Sequence, residues 1–472
     1  MANKTYDAII IGGGPGGYPA AIRLGQLKNT VLVVEKEYIG GVCLNWGCIP
    51  SKALIAAANF YEKAQHTAGT MGITFTDVKV DVTKLQAWKQ GIVGKLTGGV
   101  RMLVKANGGE VVMGTGKLVG PNTVEVTLPD GKVERYDAKK GIVLATGATP
   151  IQIPGMEPDG DVVITAREAV SLPAVPKTLL VVGGGVIGLE LGMVYQKLGA
   201  KVIVVELTDQ LLPGVDVDLV KVVEKAFIKA GGEVLLKTKA AGLKRDGQTA
   251  TVTVELPDGT KREITADKVL MSIGFKPNSK DLGLDAVGVK TDARGHILTN
   301  EFLRTNVPSI YAVGDVSGPP YLAHKATKEG EVCGEIIAGH KAARDWRAMP
   351  AAIFTEPEVA TVGLSERQVK ESGREYKVGK FPFSALGRAM AVSSTDGFIK
   401  VVVDKKTNEF LGMGIVGPEA ADLISEGALA LEMAAFAEDI AGTIHPHPTL
   451  GEGVMEAFKH ALGEAIHIAN KN

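Results

Sequence analysis

Two segments of the chain repeat one pattern at one spacing, and that repeat constrains the fold more than any other feature. Residues 6–11 are a short apolar run. They are followed by Gly12-Gly13-Gly14-Pro15-Gly16-Gly17, a helical pattern to about residue 27, and a second run, 31–34, ending at Glu35. Residues 179–182 lead in the same way into Gly183-Gly184-Gly185-Val186-Ile187-Gly188. A helical pattern to about residue 198 and a run 202–205 ending at Glu206 complete the second copy. In both copies the acid stands 23 residues after the first glycine. A lone G-x-G-x-x-G is weak evidence. Two copies, each between a strand and a helix and each with an acid at the tip of the next strand, are strong evidence for two dinucleotide-binding βαβ units.

The chemistry of each copy is the same. The first glycine (Gly12, Gly183) permits the tight turn, the second (Gly14, Gly185) lets the backbone approach a pyrophosphate, and the third (Gly17, Gly188) lets helix and strand pack closely. The helix start then offers unpaired N–H groups, those of Val186 and Ile187 in the second copy, and a positive dipole end to the phosphates. Glu35 and Glu206 can each accept hydrogen bonds from a ribose 2′-OH. A 2′-phosphate would be repelled there, and no Arg follows Glu206 closely, so the second site favours NAD over NADP. Pro19 falls early in the first helix, where it is expected to cost a backbone hydrogen bond.

Each copy closes with a related apolar run, 142–147 (through Thr146 and Gly147) in the first and 269–274 (ending at Gly274) in the second. Residues 311–316 read as a further strand with Asp315 at its C-terminal edge, where α/β sheets bind ligands. From about residue 349 the pattern changes. Runs 377–383, 398–403 and 410–416 predict an antiparallel sheet, followed by helices at about 419–435 and 451–468. The fold class is α/β: two Rossmann-like dinucleotide-binding domains and a C-terminal α+β domain.

Composition excludes several classes. The net charge of −1 gives no electrostatic case for nucleic acid or an anionic membrane. Apolar runs are broken well before membrane-spanning length, and no signal peptide precedes the first run. Only three cysteines occur, which points to a reducing cytosolic compartment, or to the mitochondrial matrix for a chain whose transit peptide has been removed. In such a compartment a close pair tends to be catalytic or metal-binding, and three cysteines cannot make a four-thiolate zinc site, so no metal is expected.

The pair is Cys43 and Cys48, in Gly40-Gly41-Val42-Cys43-Leu44-Asn45-Trp46-Gly47-Cys48-Ile49-Pro50-Ser51-Lys52. It follows almost directly on the first dinucleotide unit, which suggests electrons passing between a thiol substrate and a bound cofactor. A helical run at 51–61 makes Cys48 a neighbour of a helix N-terminus, where thiolates are favoured. Trp46 between the cysteines either shields or packs.

With these motifs, and with Thr443-Ile444-His445-Pro446-His447-Pro448-Thr449-Leu450-Gly451-Glu452 near the C-terminus, essentially the whole chain resembles the flavin-dependent pyridine nucleotide-disulfide oxidoreductases. Within that family it is most similar to the members that act on dihydrolipoyl groups. The resemblance implies an FAD-binding domain at 1–149, an NAD-binding domain at 150–277, a central segment at 278–348 that completes the FAD site, and a C-terminal dimerisation domain at 349–472. It implies a redox disulfide between Cys43, which exchanges with substrate, and Cys48, which lies against the flavin. It gives His447 the role of base, with Glu452 orienting the ring, and leaves His445 without a catalytic role. It makes Lys52 and Glu190 an ion pair beside the flavin. It places Gly41, Gly116, Thr146, Gly147, Asp315 and the Ala323 backbone at FAD, and Gly274 at NAD.

The reaction so implied is oxidation of a protein-bound dihydrolipoyl group with reduction of NAD⁺, by a homodimer serving a 2-oxoacid dehydrogenase or glycine cleavage complex. Two alternatives remain compatible with the sequence: a flavin reductase of quinones or another disulfide, and a flavin-bound assembly subunit without turnover.

Overall fold

The computed structural model describes residues 4–470. Strand β1 (Lys4–Ile11) enters the first glycine turn, helix α1 (Gly17–Gln26) leaves it, and β2 (Val31–Glu35) lies parallel to β1. Two short-range helices follow, α2 (Gly41–Asn45) and α3 (Cys48–Glu62), and then the long α4 (Val82–Ala106). β3 (Gly109–Met113) runs parallel to β2, and β4 (Thr115–Gly120), β5 (Thr123–Thr127) and β6 (Val133–Leu144) form a meander. β6 closes against β1 in parallel. The last four residues of β1 are all buried, which explains why its sequence is apolar without alternation: a parallel sheet is covered on both faces.

After β7 (Ala148–Pro150) the plan repeats. β8 (Val163–Ile164), α5 (Ala166–Ala169), β9 (Thr178–Val182), α6 (Val186–Lys197), β10 (Lys201–Val205), α7 (Val217–Lys229) and β11 (Glu233–Leu235) follow in order. A second meander, β12 (Lys239–Asp246), β13 (Thr249–Glu255) and β14 (Lys261–Ala266), returns to β15 (Lys268–Met271). The parallel sheet has the order β11-β10-β9-β15-β8. β16 (Phe275–Pro277) pairs antiparallel with β7, α8 (Leu284–Val287) follows, β17 (Ile310–Ala312) adds to β6, and α9 (Ala323–Ile337) contacts α1.

The C-terminal region comprises β18 (Ala351–Ile353), β19 (Glu358–Gly363), α10 (Glu366–Glu371), β20 (Tyr376–Pro382), α11 (Gly387–Ala391), β21 (Phe398–Asp404) and β22 (Phe410–Gly417), then α12 (Ala420–Glu432), α13 (Ala437–Gly442) and α14 (Glu452–Leu462). Its sheet is antiparallel in the order β18-β19-β22-β21-β20. Phe381, Phe383, Phe410 and Phe458 fill its core. Burial of each such side chain is worth about 1.5–3 kcal/mol, and Phe410 and Phe458 meet edge to face with centroids 4.9 Å apart.

By internal contacts the chain forms two compact units. One comprises Met1–Ala53, Thr83–Ile151 and Gly274–Asp345, the other Leu54–Val82, Gln152–Ile273 and Trp346–Asn472.

Several sequence expectations change in detail. The strand expected over 311–316 stops at Ala312, and Asp315 sits on the 3₁₀ turn Gly314–Ser317 that follows. The last helix stops at Leu462, because Gly463 takes a left-handed φ of 82° and ends it. Pro19 is the third residue of α1, so its missing N–H falls among those with no intrahelical acceptor, and it costs no hydrogen bond.

Candidate active site

The two glycine turns are near copies in atomic detail. Gly12 and Gly183 have φ of 107° and 106°. A Cβ on Gly12 would lie 2.2 Å from the Ala145 carbonyl oxygen, and one on Gly183 would lie 2.5 Å from that of Ser272. At the third glycine the conflict is worse: 1.8 Å from Gly12 O at Gly17, and 2.2 Å from Gly183 O at Gly188. The second glycine is different. A Cβ on Gly185 would meet nothing within 4 Å, and on Gly14 only the Gly41 Cα at 3.6 Å. Backbone is thus open to a phosphate in both turns, and the residues present fit a bound dinucleotide.

Glu35 and Glu206 have matching duties. Glu35 Oε2 accepts the Gly13 N–H at 2.7 Å, and Glu206 Oε2 accepts the Gly184 N–H at 2.7 Å. Their other oxygens cap the next turn, from Glu37 N–H in one case and from Thr208 N–H and Oγ1 in the other. Each acid therefore fixes its glycine turn. In α6 the first intrahelical bond is Leu189 N–H to Gly185 O, so the N–H groups of Val186, Ile187 and Gly188 precede it and find no acceptor in the helix.

Residues around the first turn come from scattered segments. Gly116 on β4 lies against Ile11 and Val34, the ends of β1 and β2. Thr146 Oγ1 donates to the Asn278 carbonyl at 2.8 Å and its carbonyl accepts Asn278 Nδ2 at 2.9 Å, while Gly147 takes φ 69°. Gly274, at φ 115°, accepts the Ile151 N–H at 2.9 Å. Ala323 is the first residue of α9, so its N–H has no intrahelical acceptor.

The turn bearing Asp315 is gripped by two buried charges that sequence inspection missed. Lys325 Nζ donates to Gly314 O at 3.2 Å and Gly318 O at 2.6 Å, and Glu329 Oε2 accepts the Gly314 N–H at 2.7 Å. In sequence they form an ordinary i,i+4 helix pair, and only burial sets them apart. Burial pushes the Asp315 carboxyl up, and the Lys325 charge opposes it.

Cys43 lies on α2, and Cys48 is the first residue of α3, which starts three residues before the helix expected over 51–61. Both are free thiols and half-buried. The helix carrying Cys43 starts against the first glycine turn, where a Cβ on Gly41 would lie 2.7 Å from Gly14 Cα. A hydrogen bond with Cys48 pushes the Cys43 thiol up, as do burial and the Cys48 charge, while Lys52 pulls it down. Cys48 stands at the N-terminus of α3, a position that favours a thiolate. Tyr18, also missed in the sequence, is near enough to both sulfurs that, after burial, their charges raise its phenol. Trp46 packs edge-on against Tyr38 at 5.6 Å between centroids. Cys333 is fully buried, and burial raises its thiol.

Lys52 stands one turn beyond Cys48 on α3. Glu190 on α6 is buried, and its Oε1 accepts the Phe354 N–H at 2.9 Å.

The two histidines of the C-terminal motif separate cleanly. His445 uses both ring nitrogens, Nδ1 to the Thr443 carbonyl at 2.9 Å and Nε2 to Glu426 at 2.8 Å, and its side chain is 7% exposed. His447 is 79% exposed, and only Nδ1 is engaged, with Glu452 Oε1 at 2.9 Å, among the described residues. Burial would raise the Glu452 carboxyl, but the Thr449 N–H and His447 outweigh it and hold it below the usual carboxylate range. This arrangement fixes the ring and leaves Nε2 turned outward to exchange a proton.

Among the described residues no cluster of three or more His, Cys, Asp or Glu is placed to hold a metal, and no helix is long and apolar enough to cross a membrane.

Residues 6–330 match the family described as pyridine nucleotide-disulphide oxidoreductase, and residues 349–458 match the dimerisation domain of that family. The chain is 46% identical over 465 residues to a dihydrolipoyl dehydrogenase of Geobacillus stearothermophilus, covering 98% of both chains. It is 45% identical over 463 residues to a dihydrolipoyl dehydrogenase of Bacillus subtilis, covering 98% of this chain and 97% of that one. The crystal structure of LpdA from Mycobacterium tuberculosis superposes with a TM-score of 0.89 at 29% identity, over 96% of this chain and 99% of that one.

Proposed function

This chain belongs to the pyridine nucleotide-disulphide oxidoreductase family, among its dihydrolipoyl dehydrogenases, and from that premise we propose that it oxidises protein-bound dihydrolipoyl groups with NAD⁺ as electron acceptor. FAD is assigned to the first glycine turn and NAD⁺ to the second. The observation that carries the assignment is the placing of the hydrogen-bonded Cys43 and Cys48 just after β2, with the Cys43 helix starting against Gly14 of the first turn.

The chain's own residues supply the thiol chemistry. His447 Nε2 removes a proton from one substrate thiol, while Glu452 holds Nδ1 and stabilises the imidazolium. The substrate thiolate attacks Cys43 Sγ of the oxidised pair. The Cys43–Cys48 bond breaks, and Cys48 leaves as a thiolate stabilised at the N-terminus of α3. The second substrate thiol passes its proton to the departing Cys43 sulfur as it attacks the first. The lipoyl ring closes, Cys43 leaves as the thiol, and His447 keeps the first proton as imidazolium opposite the Cys48 thiolate. The substrate has lost two electrons and the cysteine pair has gained them. The chemistry that FAD supplies when bound is two-electron relay from that pair to NAD⁺. Glu35, Asp315, Gly116, Thr146 and Ala323 are the groups that would hold it, with Lys52 and Glu190 near its ring. Glu206 and the Val186–Gly188 N–H groups would hold NAD⁺.

The dimerisation domain supports a homodimer in which His447 of one copy serves the cysteines of the other. The lipoyl group would arrive on a partner protein of a multienzyme complex in a reducing compartment.

Cys43→Ser in the FAD-loaded protein tests this. NAD⁺ reduction by dihydrolipoamide should vanish, while NADH oxidation by a quinone persists. Retained dihydrolipoamide activity would refute the disulfide route.

A further inference from the structure

Both glycine turns are held from outside their own βαβ units, the first by the Thr327 hydroxyl donating to the Pro15 carbonyl at 3.2 Å and the second through the segment that follows β10. Leaving β2, the chain turns back at once: the Gly40 N–H donates to the Gly13 carbonyl at 2.8 Å, and Ile39 fills the space beside Gly13. Leaving β10, the Leu212 N–H donates to the Gly184 carbonyl at 2.9 Å, and Leu211 fills the space beside Gly184. Ile39 and Gly40 are therefore the counterparts of Leu211 and Leu212. What comes next differs. After Gly40 the chain enters α2 and reaches Cys43. After Leu212 it passes through Gly214, at φ 98°, to Asp216, the N-cap of α7.

Asp216 does not do what an aspartate at that position ordinarily does. Its side chain makes no cap hydrogen bond to the helix it begins, although an N-cap aspartate is placed to accept one. Its carboxylate instead takes Lys400 Nζ at 2.7 Å and the Glu366 N–H at 3.1 Å. Lys400 lies on β21 with its side chain 2% exposed, and it also reaches Asp218 at 2.8 Å and Glu366 at 3.2 Å. Lys380 adds a second cation at Asp218. Burying such a cluster is costly in desolvation, and its best-attested benefit is fixing register. Here the register fixed is that of the segment 207–216 against the C-terminal sheet.

We propose that Lys400 is a positioning residue for the nicotinamide nucleotide: by gripping Asp216 it fixes the segment 207–216 and, through Leu212, the glycine turn that receives the pyrophosphate. This rests on the assignment of NAD⁺ to the second turn. A shift of the turn by a fraction of an ångström would weaken nucleotide binding and leave the thiol chemistry alone.

The test is steady-state kinetics on the FAD-loaded protein together with direct titration of NADH. In Lys400→Met the KM for NAD⁺ and the Kd for NADH should rise about fivefold, with the KM for dihydrolipoamide and its rate of reducing the cysteine pair within about twofold of wild type. Lys400→Arg should recover most of that loss. Asp216→Asn, which leaves Lys400 two carboxylates, should raise both nucleotide constants about threefold and decides the matter where Lys400→Met does not accumulate as folded protein. Equal losses on both substrates, or unchanged nucleotide constants in the folded variants, would overturn the proposal. Gly188→Ala run in parallel separates the two levels. If it leaves NADH binding unchanged, the NAD⁺ assignment itself is wrong. If it weakens NADH binding while the Lys400 and Asp216 variants do not, only the positioning role is lost.

Discussion

The two glycine turns share their strands, their φ angles, their acid and even the return hydrogen bond that closes each loop, yet they diverge at the next residue. The first copy spends that position on the helix carrying Cys43, and the second on a tie to the C-terminal sheet. One fold unit thus serves two ends. Common features bind a nucleotide, and the divergent segment decides what chemistry or what anchoring accompanies it.

The comparison is broken most severely at the divergent segment of the first copy. Cys48→Ser should lower dihydrolipoamide oxidation at least about a thousandfold, because no second sulfur can leave as a thiolate. The same protein should bind NADH as wild type does, measured by titration.

The next effect comes from the base that serves only the thiol half. His447→Gln should lower kcat with dihydrolipoamide by about a hundredfold, the ordinary scale of general-base loss, with NADH–quinone turnover intact. Equal losses in both assays would point to a folding defect.

Substitution within the shared part has an intermediate effect and separates the copies. Gly17→Ala puts a Cβ 1.8 Å from Gly12 O and should yield protein without flavin, read from its visible absorbance. Gly188→Ala puts one 2.2 Å from Gly183 O and should yield flavin-loaded protein with the KM for NAD⁺ raised about tenfold.

The smallest effect distinguishes the two histidines. The Glu426 hydrogen bond holds the His445 imidazole above its ordinary value, against burial. A raised folded-state value stabilises the protein below the unfolded value of about 6.5, and that stability is lost as pH rises through the folded value. His445→Gln should therefore lower the melting temperature more at about pH 6 than at about pH 9. Its kcat should stay within about threefold of wild type, unlike that of His447→Gln.

The nucleotide folds were legible because their signals are local. A glycine at φ above 100° and an acid at a strand tip are fixed by neighbours within one βαβ unit, and the repeat at identical spacing shows them twice. The cysteine pair could be read from its place after the first unit, but the separate roles of Cys43 and Cys48 and the choice of His447 over His445 came only with the family pattern. The structure adds a physical reason for the second, since His445 has both nitrogens engaged. What stayed hidden depends on burial. Lys325, Glu329 and Lys400 read as surface charges, because nothing in a linear sequence says that a lysine is enclosed by carboxylates from distant segments. Tyr18 was hidden for the same reason: its position beside the sulfurs arises from the return of the chain after β2, not from spacing. The extra helical residues at Cys48 and the early stop at Gly463 are differences of one element end, where short-range signals compete.

The most direct test of the disulfide relay is a count of alkylatable thiols in the anaerobic FAD-loaded protein. Addition of dihydrolipoamide to the oxidised protein should expose two new thiols per chain, located by peptide mapping at Cys43 and Cys48, and subsequent NAD⁺ should remove both while NADH appears in equal amount. NADH formed with no change in labelling at either cysteine would contradict the account.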